Sequence, residues 1–541
     1  MRTLPATLAL LAAAGLAAAP ASAALWDGGG DGSNWSSGAN WDPDEAGVPS
    51  DNATFDDQAA NLSTIVDATT SAEFLRVNQT TGSATNETSL AANLILSSSQ
   101  DAIRVNSATS AGSTLGSAGM FVLDVNGNDV ILNASTGINR TQTFVGTYRF
   151  DTNGGDLYSN WSIGTSSGNS LTFNFGTGSG PTALLATGSG VLARVGQIAS
   201  TGGTTNNNRP MTFNLAASNI ATATDGATLA FVRIARVDSQ TTTLNNSGTI
   251  DIDSNSRVSL LVDSGNGSGN LNSVWNNQAA GVINITGELA FQSLLTGASG
   301  NGGHASTLTN AGTIAVNGAD ATLALRRHTS GAGTNLTITN SGVLTGSTAS
   351  DSLEYTRFNT TTVGGTTGSV AGRATINSTG AVSPGDGHNG SGLTSVGTLT
   401  LADFNLALNG AAGTLHLDLG GDTAGTFDVL TLATGATAAS GAGDLTIDAA
   451  NAKLALYYVN GYAPTANTSW TILNYGSVTG AFDLATNLTI AGATGFAANP
   501  ANYTIGYGTD SATLTLIPEP GTLALAACGL VLVATRRRAE G

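Results

Sequence analysis

The chain of 541 residues has few of the side chains that crosslink, coordinate or catalyse in other proteins. It contains one cysteine, Cys528, one lysine, Lys453, and four histidines, and only 10% of its residues are charged. A single cysteine excludes a disulfide framework. With 36 acidic and 18 basic residues, the net charge is -18, and this excludes the clustered basic surface that nucleic-acid binding requires. Stability must therefore come from apolar burial and backbone hydrogen bonds.

Long helical patterns are also missing. No apolar pattern with a period of 3.6 residues lasts beyond a turn or two, and Gly, Ala, Ser, Thr and Asn dominate. Apolar and polar residues instead alternate in short segments such as 171–175 and 415–419, and Asn or Gly closes each segment. This alternation is typical of β-strands and turns. Disordered chains lack such recurrent Leu, Ile, Val and Phe positions.

One stretch of sequence recurs along the middle of the chain. Residues 243–250 read TLNNSGTI, residues 307–314 read TLTNAGTI and residues 337–344 read TITNSGVL, with looser copies at 274–285 and 375–382. The glycines that mark the copies are Gly248, Gly281, Gly312, Gly342 and Gly380, spaced by 33, 31, 30 and 38 residues. A period near 30 residues with strand–turn–strand content indicates a solenoid.

We therefore predict an all-β solenoid in which each coil pairs in parallel with the next and buries a column of Leu, Ile and Val. The asparagine before each marker glycine is predicted to hydrogen-bond to its counterpart in the next coil as a ladder. The glycine is predicted to supply the positive φ of a sharp bend. The alternative architecture is a series of antiparallel β-sandwiches, because the spacing outside residues 243–380 is irregular.

The N-terminal segment predicts export. Met1-Arg2 gives a short positive start, and an Ala/Leu-rich run extends from Leu4 to Ala19. An A-x-A cleavage site follows, with its small residues at Ala21 and Ala23. Cleavage after Ala23 would make Ala24 the first residue of the mature protein. This order is typical of a Sec-type signal peptide over residues 1–23.

The C-terminal segment, residues 517–541, predicts a sorting tail. An apolar run from Gly521 to Thr535 is about 22 Å long as a helix, which is short for a stable membrane span. The arginines beyond the run would hold that end in the cytoplasm. The motif residues are Pro518, Glu519, Pro520, Arg536, Arg537 and Arg538. An ordinary single-span tail anchor is the alternative interpretation.

This tail resembles the PEP-CTERM sorting domain of exported bacterial surface proteins. The resemblance implies transient anchoring in the inner membrane by a short hydrophobic helix. It also implies that an exosortase-type enzyme recognises Pro518-Glu519-Pro520 and cuts nearby. The product would reach the cell surface or the exterior of a bacterium that makes exopolysaccharide.

Two further stretches carry family resemblances. The segment over residues 24–60, with Trp26, Trp35 and Trp41, resembles the opening of autotransporter-associated β-strand repeat proteins and is predicted to form an opening segment or cap. Residues 382–387 resemble the S-P-G turn of autotransporter passenger domains, and the strand-rich block 380–516 follows the same pattern. Passengers are typically right-handed parallel β-helices, so the resemblance implies this fold, with the solenoid over residues 61–379. The chain departs from that family because a PEP-CTERM tail follows the block.

Candidate catalytic residues are sparse. The four histidines are isolated, and no nucleophile elbow or phosphate loop occurs. They are His304, His328, His388 and His416. Asp251 and Asp253, with Arg233 and Arg236 upstream, are the one combination that could supply a β-helix lyase with acids and a base. We interpret them as solvated acids, and we expect no catalytic residues.

Acidic residues cluster near the predicted mature terminus. The candidates for a calcium site are Asp27, Asp31, Asp42 and Asp44. Their carboxylates are the oxygen ligands that calcium prefers, although the order of an EF-hand loop is missing. The alternative is a Gly-rich cap pinned by the three tryptophans. No other cofactor is expected.

Threonines recur in step with the repeats. They are Thr243, Thr249, Thr307, Thr313 and Thr337. Outward columns of threonine can order water and bind ice or, with aromatic residues, lie along a polysaccharide, and PEP-CTERM tails occur on some ice-binding proteins. We expect a non-enzymatic structural or adhesive protein whose partners are exopolysaccharide or cell-surface glycan. The alternatives are a glycan- or ice-binding solenoid and a polysaccharide lyase or hydrolase of the β-helix type.

Overall fold

A parallel β-helix dominates the structure, which confirms the predicted fold class. The computed structural model describes residues 24–42, 52–56, 63–72, 74–78, 86–96, 103–105, 121–124, 129–134, 140–144, 146–150, 155–161, 171–175, 182–197, 210–217, 220–235, 240–264, 271–295, 304–328, 335–346, 350–360, 368–385, 396–435 and 441–518. Across these residues, three long sheets form the faces of the helix, and we name them sheets I, II and III.

Successive coils contribute one strand to each face. Sheet I consists of Ser63–Val66, Asn86–Leu90, Phe121–Asp124, Gly146–Phe150, Thr182–Thr187, Ile220–Thr224, Thr249–Ile252, Val282–Ile285, Thr313–Val316, Val343–Gly346, Ala381–Ser383, Thr414–Leu419, Lys453–Tyr458 and Leu488–Ala491. Sheet II consists of Thr70–Ala72, Leu94–Leu96, Asp129–Ala134, Gly155–Trp161, Leu192–Gln197, Thr228–Ala235, Arg257–Ser264, Glu288–Leu295, Ala321–His328, Ser350–Thr360, Gly368–Ser369, Thr398–Ala402, Val429–Ala433, Ser469–Asn474, Tyr503–Tyr507 and Ser511–Leu516. Sheet III consists of Arg140–Phe144, Leu171–Phe175, Met211–Leu215, Gln240–Asn246, Leu271–Asn277, His304–Asn310, Asn335–Asn340, Ala374–Ser378, Phe404–Leu408, Asp444–Ile447 and Ser477–Thr479.

The remaining elements lie near the two ends. An N-terminal sheet consists of Ala24–Trp26, Trp41–Asp42, Asn52–Asp56, Phe74–Asn78 and Ile103–Val105. The helices of the described residues are short, namely the α-helix Leu484–Asn487 and the 3₁₀ helices Gly38–Asn40, Gly495–Ala498 and Pro500–Asn502.

Strand pairing between coils is parallel along the whole rod. In sheet I, Thr249–Ile252 pairs in parallel with Val282–Ile285, residue for residue. Antiparallel pairs between named strands occur within the N-terminal sheet, at the small hairpin of Ser350–Thr360, and at the C-terminal end of sheet II. The alternative prediction of antiparallel sandwiches is therefore wrong. The three sheets also run without interruption across residue 380, where the sequence analysis places a domain boundary.

Columns of apolar side chains fill the interior. One column on sheet III places one inward residue on each coil in register. Its members, all buried, are Phe173, Phe213, Leu244, Trp275, Leu308, Ile338 and Ile376. Each coil alone offers too few such residues for a core, so stacking supplies most of the burial.

A buried asparagine ladder runs along the corner between sheets III and I, as predicted. The Nδ2 of Asn246 donates to the Oδ1 of Asn277 at 2.8 Å, and Asn277 donates to Asn310 at 2.7 Å. Asn310 donates to Asn340 at 2.7 Å. The last member is Ser378, whose hydroxyl accepts from Asn340 at 3.0 Å. Because every amide is satisfied by its neighbours and by strand carbonyls, these polar groups can remain buried.

The marker glycines have a different role from the one predicted. They have no positive φ, so the predicted left-handed bend is wrong. A Cβ atom on Gly312 would instead lie closer than 3.0 Å to the carbonyl oxygens of Gly281 and Gln278. Gly342 and Gly380 approach the preceding coil in the same way. Glycine is required because consecutive coils almost touch at this corner.

We expect Gly312→Ala to destabilise the rod by about 1–3 kcal/mol, because the new methyl group must push two coils apart. The urea midpoint of unfolding measures this effect. Gly506→Ala is the matched control, since a Cβ there meets nothing within 4 Å. Equal midpoints for both variants would contradict the close-approach explanation.

We expect Asn310→Ala to destabilise the protein by about 1–3 kcal/mol more than Asn245→Ala, because it leaves buried partners without hydrogen bonds. Asn245 is the control because it belongs to an outward, half-exposed ladder that water can replace. Urea unfolding of both variants measures the difference. A larger loss for Asn245→Ala would contradict the importance of the buried ladder.

Candidate functional site

Over seven consecutive strands, the outer surface of sheet III carries uncharged side chains, all of them polar except Val274, and we call this surface the polar face. Two residues point outward from each of seven consecutive strands, as the alternation of buried and half-buried positions shows. The face consists of Thr172, Asn174, Thr212, Asn214, Thr243, Asn245, Val274, Asn276, Thr307, Thr309, Thr337, Thr339, Thr375 and Asn377.

Backbone pairing aligns these residues in two straight columns. The first column begins Thr172, Thr212, Thr243, and the second begins with the asparagines two residues later on each strand. Parallel pairing extends both columns to Thr375 and Asn377. Coils repeat about every 4.8 Å, and the two columns are about 6.6 Å apart along the strand. Seven strands therefore present a regular two-dimensional array about 29 Å long.

Hydrogen bonds fix the orientation of the second column. The Nδ2 of Asn214 donates to the Oδ1 of Asn174 at 2.8 Å. Asn245 donates to Asn214 at 2.8 Å, and Asn276 donates to Asn245 at 2.9 Å. Asn214 and Asn245 both donate and accept in this ladder, so each has one N–H and one lone pair left for an external partner. The outward donors and acceptors are therefore held in a fixed repeat.

The polar face has neither charged nor aromatic side chains. This composition is unusual beside the net charge of -18 of the chain. Its hydroxyl and amide groups can hydrogen-bond to water or sugar hydroxyls, whereas the face offers no charge to pair with an ion and no aromatic ring to stack on a sugar. The surface is suited to another flat, hydrogen-bonding surface or polymer.

The sequence located this face only in part. Thr243, Thr307 and Thr337 share one column of the polar face, whereas Thr249 and Thr313 lie outward on sheet I. The earlier members, at Thr172 and Thr212, were missed because 40 residues separate them. The signal that finds them is a threonine two residues before an asparagine or threonine, with both flanked by buried apolar residues.

The N-terminal tryptophans pack together as a cap over the first coils. Trp26, Trp35 and Trp41 are fully buried, with ring centroids 4.9 Å apart for Trp26 and Trp41 and 5.5 Å apart for Trp35 and Trp41. The Nε1 of Trp35 donates to Thr64 Oγ1 at 3.1 Å, which ties the cap to sheet I. Phe55 completes the cluster.

Asp31 organises the glycine-rich loop of this cap. Its Oδ1 accepts hydrogen bonds from the backbone amides of Ser33 and Asn34 and from the side chain of Asn40. These bonds favour the carboxylate and hold the pKa of Asp31 well below its usual range. Asp27 accepts from the amide of Gly29 at 2.8 Å.

The predicted calcium ligands are only partly visible. Asp42 is exposed at the end of strand Trp41–Asp42, and Asp44 lies outside the described residues. In the described part of the chain, no three His, Cys, Asp or Glu side chains are grouped to hold a metal ion. Calcium binding by these residues stays a prediction.

The acids of the lyase alternative lie on sheet I and its corner. Asp251 accepts a hydrogen bond from Asn284 at 2.6 Å on the outer side of sheet I. Asp253 is exposed in the following turn, and its Oδ1 accepts from Ser254. Arg233 belongs to a sheet II strand, and Arg236 lies outside the described residues. Asp251 and Arg233 therefore belong to strands of different sheets.

The other predicted residues are distributed as follows. His416 lies half-buried on sheet I with its ring 5.7 Å from that of Tyr457. His304 and His328 belong to strands of sheets III and II. The positions outside the described residues are His388, Ala21, Ala23, Glu519, Pro520, Arg536, Arg537 and Arg538. The described residues begin at Ala24 and end at Pro518.

The helices that the structure describes are too short and too polar to span a membrane. The predicted span, residues 521–535, lies outside those residues.

Comparison with known proteins gives no family assignment. No protein-family model matches the chain, and no curated protein matches it. The resemblances to PEP-CTERM tails and to autotransporter passengers therefore depend on the sequence motifs quoted above.

We expect acid to weaken the N-terminal cap through Asp31. Because the folded-state pKa of Asp31 is lowered, its stabilisation is complete above the unfolded value, near pH 4, and is lost as the pH falls towards the folded value. Asp31→Ala should weaken the cap at neutral pH and remove this pH dependence. Hydrogen exchange of residues 24–42, corrected for intrinsic rates, measures both effects.

Asp42→Ala is the control for this experiment, since Asp42 is exposed and stands apart from the loop hydrogen bonds of Asp31. A cap whose exchange has the same pH dependence with and without Asp31 would contradict its organising role. Repeating the exchange with calcium and with a chelator tests the predicted metal site directly.

Proposed function

We propose that this protein is an exported, non-catalytic structural or adhesive protein that attaches to exopolysaccharide or cell-surface glycan through the polar face. In this proposal the signal peptide directs export, and the C-terminal tail holds the chain transiently in the inner membrane. An exosortase-type enzyme then processes the tail at Pro518-Glu519-Pro520, and the rod remains at the cell surface or outside the cell.

The observation that carries this proposal is the in-register array of the polar face. Neutral hydroxyl and amide groups repeat once per coil over seven strands, so many weak contacts can form with a single extended partner. Weak contacts that act together on one polymer give avidity without a deep pocket. A rigid sheet also loses little conformational entropy on binding.

Ice binding is a second candidate, favoured by one specific observation. The polar face has no aromatic side chain, whereas its threonine column presents a methyl and a hydroxyl group on most coils. A polysaccharide platform gains much from aromatic rings, but an array that orders water does not need them. The same array therefore has two candidate partners, ice and glycan.

We expect the double substitution Thr243→Tyr with Thr307→Tyr to weaken attachment by about tenfold or more, or about 1.4 kcal/mol. The rings would rise above the plane and hold the partner away from neighbouring coils. Cosedimentation with insoluble polysaccharide measures glycan attachment. Inhibition of ice recrystallisation measures the second candidate with the same proteins.

The matched control is Thr249→Tyr with Thr313→Tyr, which places the same rings on the outer side of sheet I in nearby coils. This control should behave like the unmodified protein. Glycan attachment that is lost in the first pair alone supports adhesion, and ice activity lost in the first pair alone supports the second candidate. The proposal fails if the unmodified protein binds neither material or if both pairs bind equally.

A further inference from the structure

A groove follows the corner between sheets I and II, away from the polar face. It exists because the corners differ in length. In one coil, four residues connect Ile252, the last residue of the sheet I strand, to Arg257, the first residue of the sheet II strand. In the next coil, only two residues connect the paired positions Ile285 and Glu288. In the next coil, five residues separate Val316 from Thr322. The short corner leaves a notch between two longer ones, and the groove has a volume of about 520 Å³.

The groove is elongated along the rod. Its floor follows one outward row of sheet II, and the row includes five paired strands. The members of this row are Leu192, Thr228, Arg257, Glu288 and Thr322. At about 4.8 Å per strand, the row is about 19 Å long. The walls carry the exposed polar residues Ser254, Asn255 and Asp320.

An ion triad lies at the centre of the groove, with Arg257 and Glu288 lining the floor and Arg326 buried beside them. Arg326 donates to Glu288 through two nitrogens, from Nε at 2.5 Å and from Nη2 at 2.6 Å. Arg257 approaches the same carboxylate, with its Nε 2.7 Å from Oε1. The guanidinium of Arg326 also lies 4.6 Å from the ring centre of Phe358. This bidentate arrangement fixes the carboxylate of Glu288 in one orientation.

The triad stays ionised although it is largely buried. Burial alone would raise the pKa of Glu288, but the hydrogen bonds and charges of Arg326 and Arg257 hold it below its usual range. Burial lowers the pKa of Arg257, and Glu288 opposes that change. A buried ion pair adds little net stability relative to apolar residues of similar size. The triad therefore supplies the groove with fixed charges more than it supplies folding free energy.

Glu288 and Arg257 keep a small part of their surface open to the groove, with side chains 15% and 16% exposed. The groove thus offers a fixed carboxylate, a guanidinium and neutral hydroxyl and amide groups in one line. A nucleic acid is excluded by the acidic charge of the chain. A peptide that binds by adding a strand would need a free strand edge, whereas the floor strands from Thr228–Ala235 to Glu288–Leu295 are paired on both sides.

We propose that this groove binds a linear oligosaccharide segment, with the partly exposed Arg257–Glu288 pair facing one sugar at its centre. Pyranose hydroxyls both donate and accept, which suits the exposed hydroxyl, amide and carboxylate groups of Ser254, Asn255 and Asp320 on the walls. Ser254 and Asp320 would contact the neighbouring sugars from the walls. This site lies at a corner of sheets I and II and does not depend on the polar face of sheet III.

The test titrates the protein with cellohexaose, laminarihexaose, mannohexaose and hexagalacturonic acid by isothermal calorimetry. We expect at least one of the four to bind with a single-site isotherm. The neutral and the acidic probes distinguish a hydroxyl-only ligand from one that also presents carboxylates. Ser254→Trp should weaken the binding by about tenfold or more, because the indole fills the notch while an exposed wall position leaves the core intact.

Ala411→Trp is the matched control, since it places the same indole on an exposed corner far along the rod. The pair of tyrosine substitutions on the polar face should bind the hexasaccharide like the unmodified protein, so failure of the proposed function and failure of this site are distinguishable. The proposal is overturned if none of the four probes binds, or if Ser254→Trp and Ala411→Trp bind equally.

Discussion

The structure depends on one constraint, the close parallel pairing of each coil with the next. Without disulfides, a coil is held by backbone hydrogen bonds and by apolar columns that it shares with its neighbours. Two residues show how close this pairing is. Gly312 has no room for a side chain against the preceding coil. The buried side-chain amide of Asn310 forms its hydrogen bonds with adjacent coils. Stability is therefore a property of neighbouring pairs rather than of single repeats.

The sequence predicted what is local and periodic. The Asn-x-Gly corner and the alternating apolar residues lie within ten residues of each other, so the solenoid and its inner ladder could be inferred before the structure. The role of Gly312 was predicted wrongly. A close approach between coils and a positive φ both require glycine, so the residue type alone does not distinguish the two. The partners of Glu288 could not be predicted, since Arg257 and Arg326 are 31 and 38 residues away and only the register brings them together. The polar face was predicted only in part, because the connections between its strands vary in length, as between Thr172 and Thr212.

The functional surfaces follow from the same geometry. Across the described residues, the parallel rod displays long faces and a groove along one corner. Along sheet III, the repeat gives an uncharged face that suits an extended partner. Along the corner of sheets I and II, a two-residue difference in corner length opens a groove over a charged floor. Small changes of sequence at corners and on outward columns can thus change what the rod binds while the core stays the same.

The C-terminal end of sheet II closes with the antiparallel strands Ser511–Leu516 and Tyr503–Tyr507. A further coil from another molecule would need a parallel edge with matching inward residues, and this hairpin offers neither on that sheet. Terminal caps of this kind oppose polymerisation of solenoids. At the C-terminal edge of sheet II, end-to-end stacking of a second rod would therefore have to begin on an antiparallel strand, which cannot continue the parallel register of the coils.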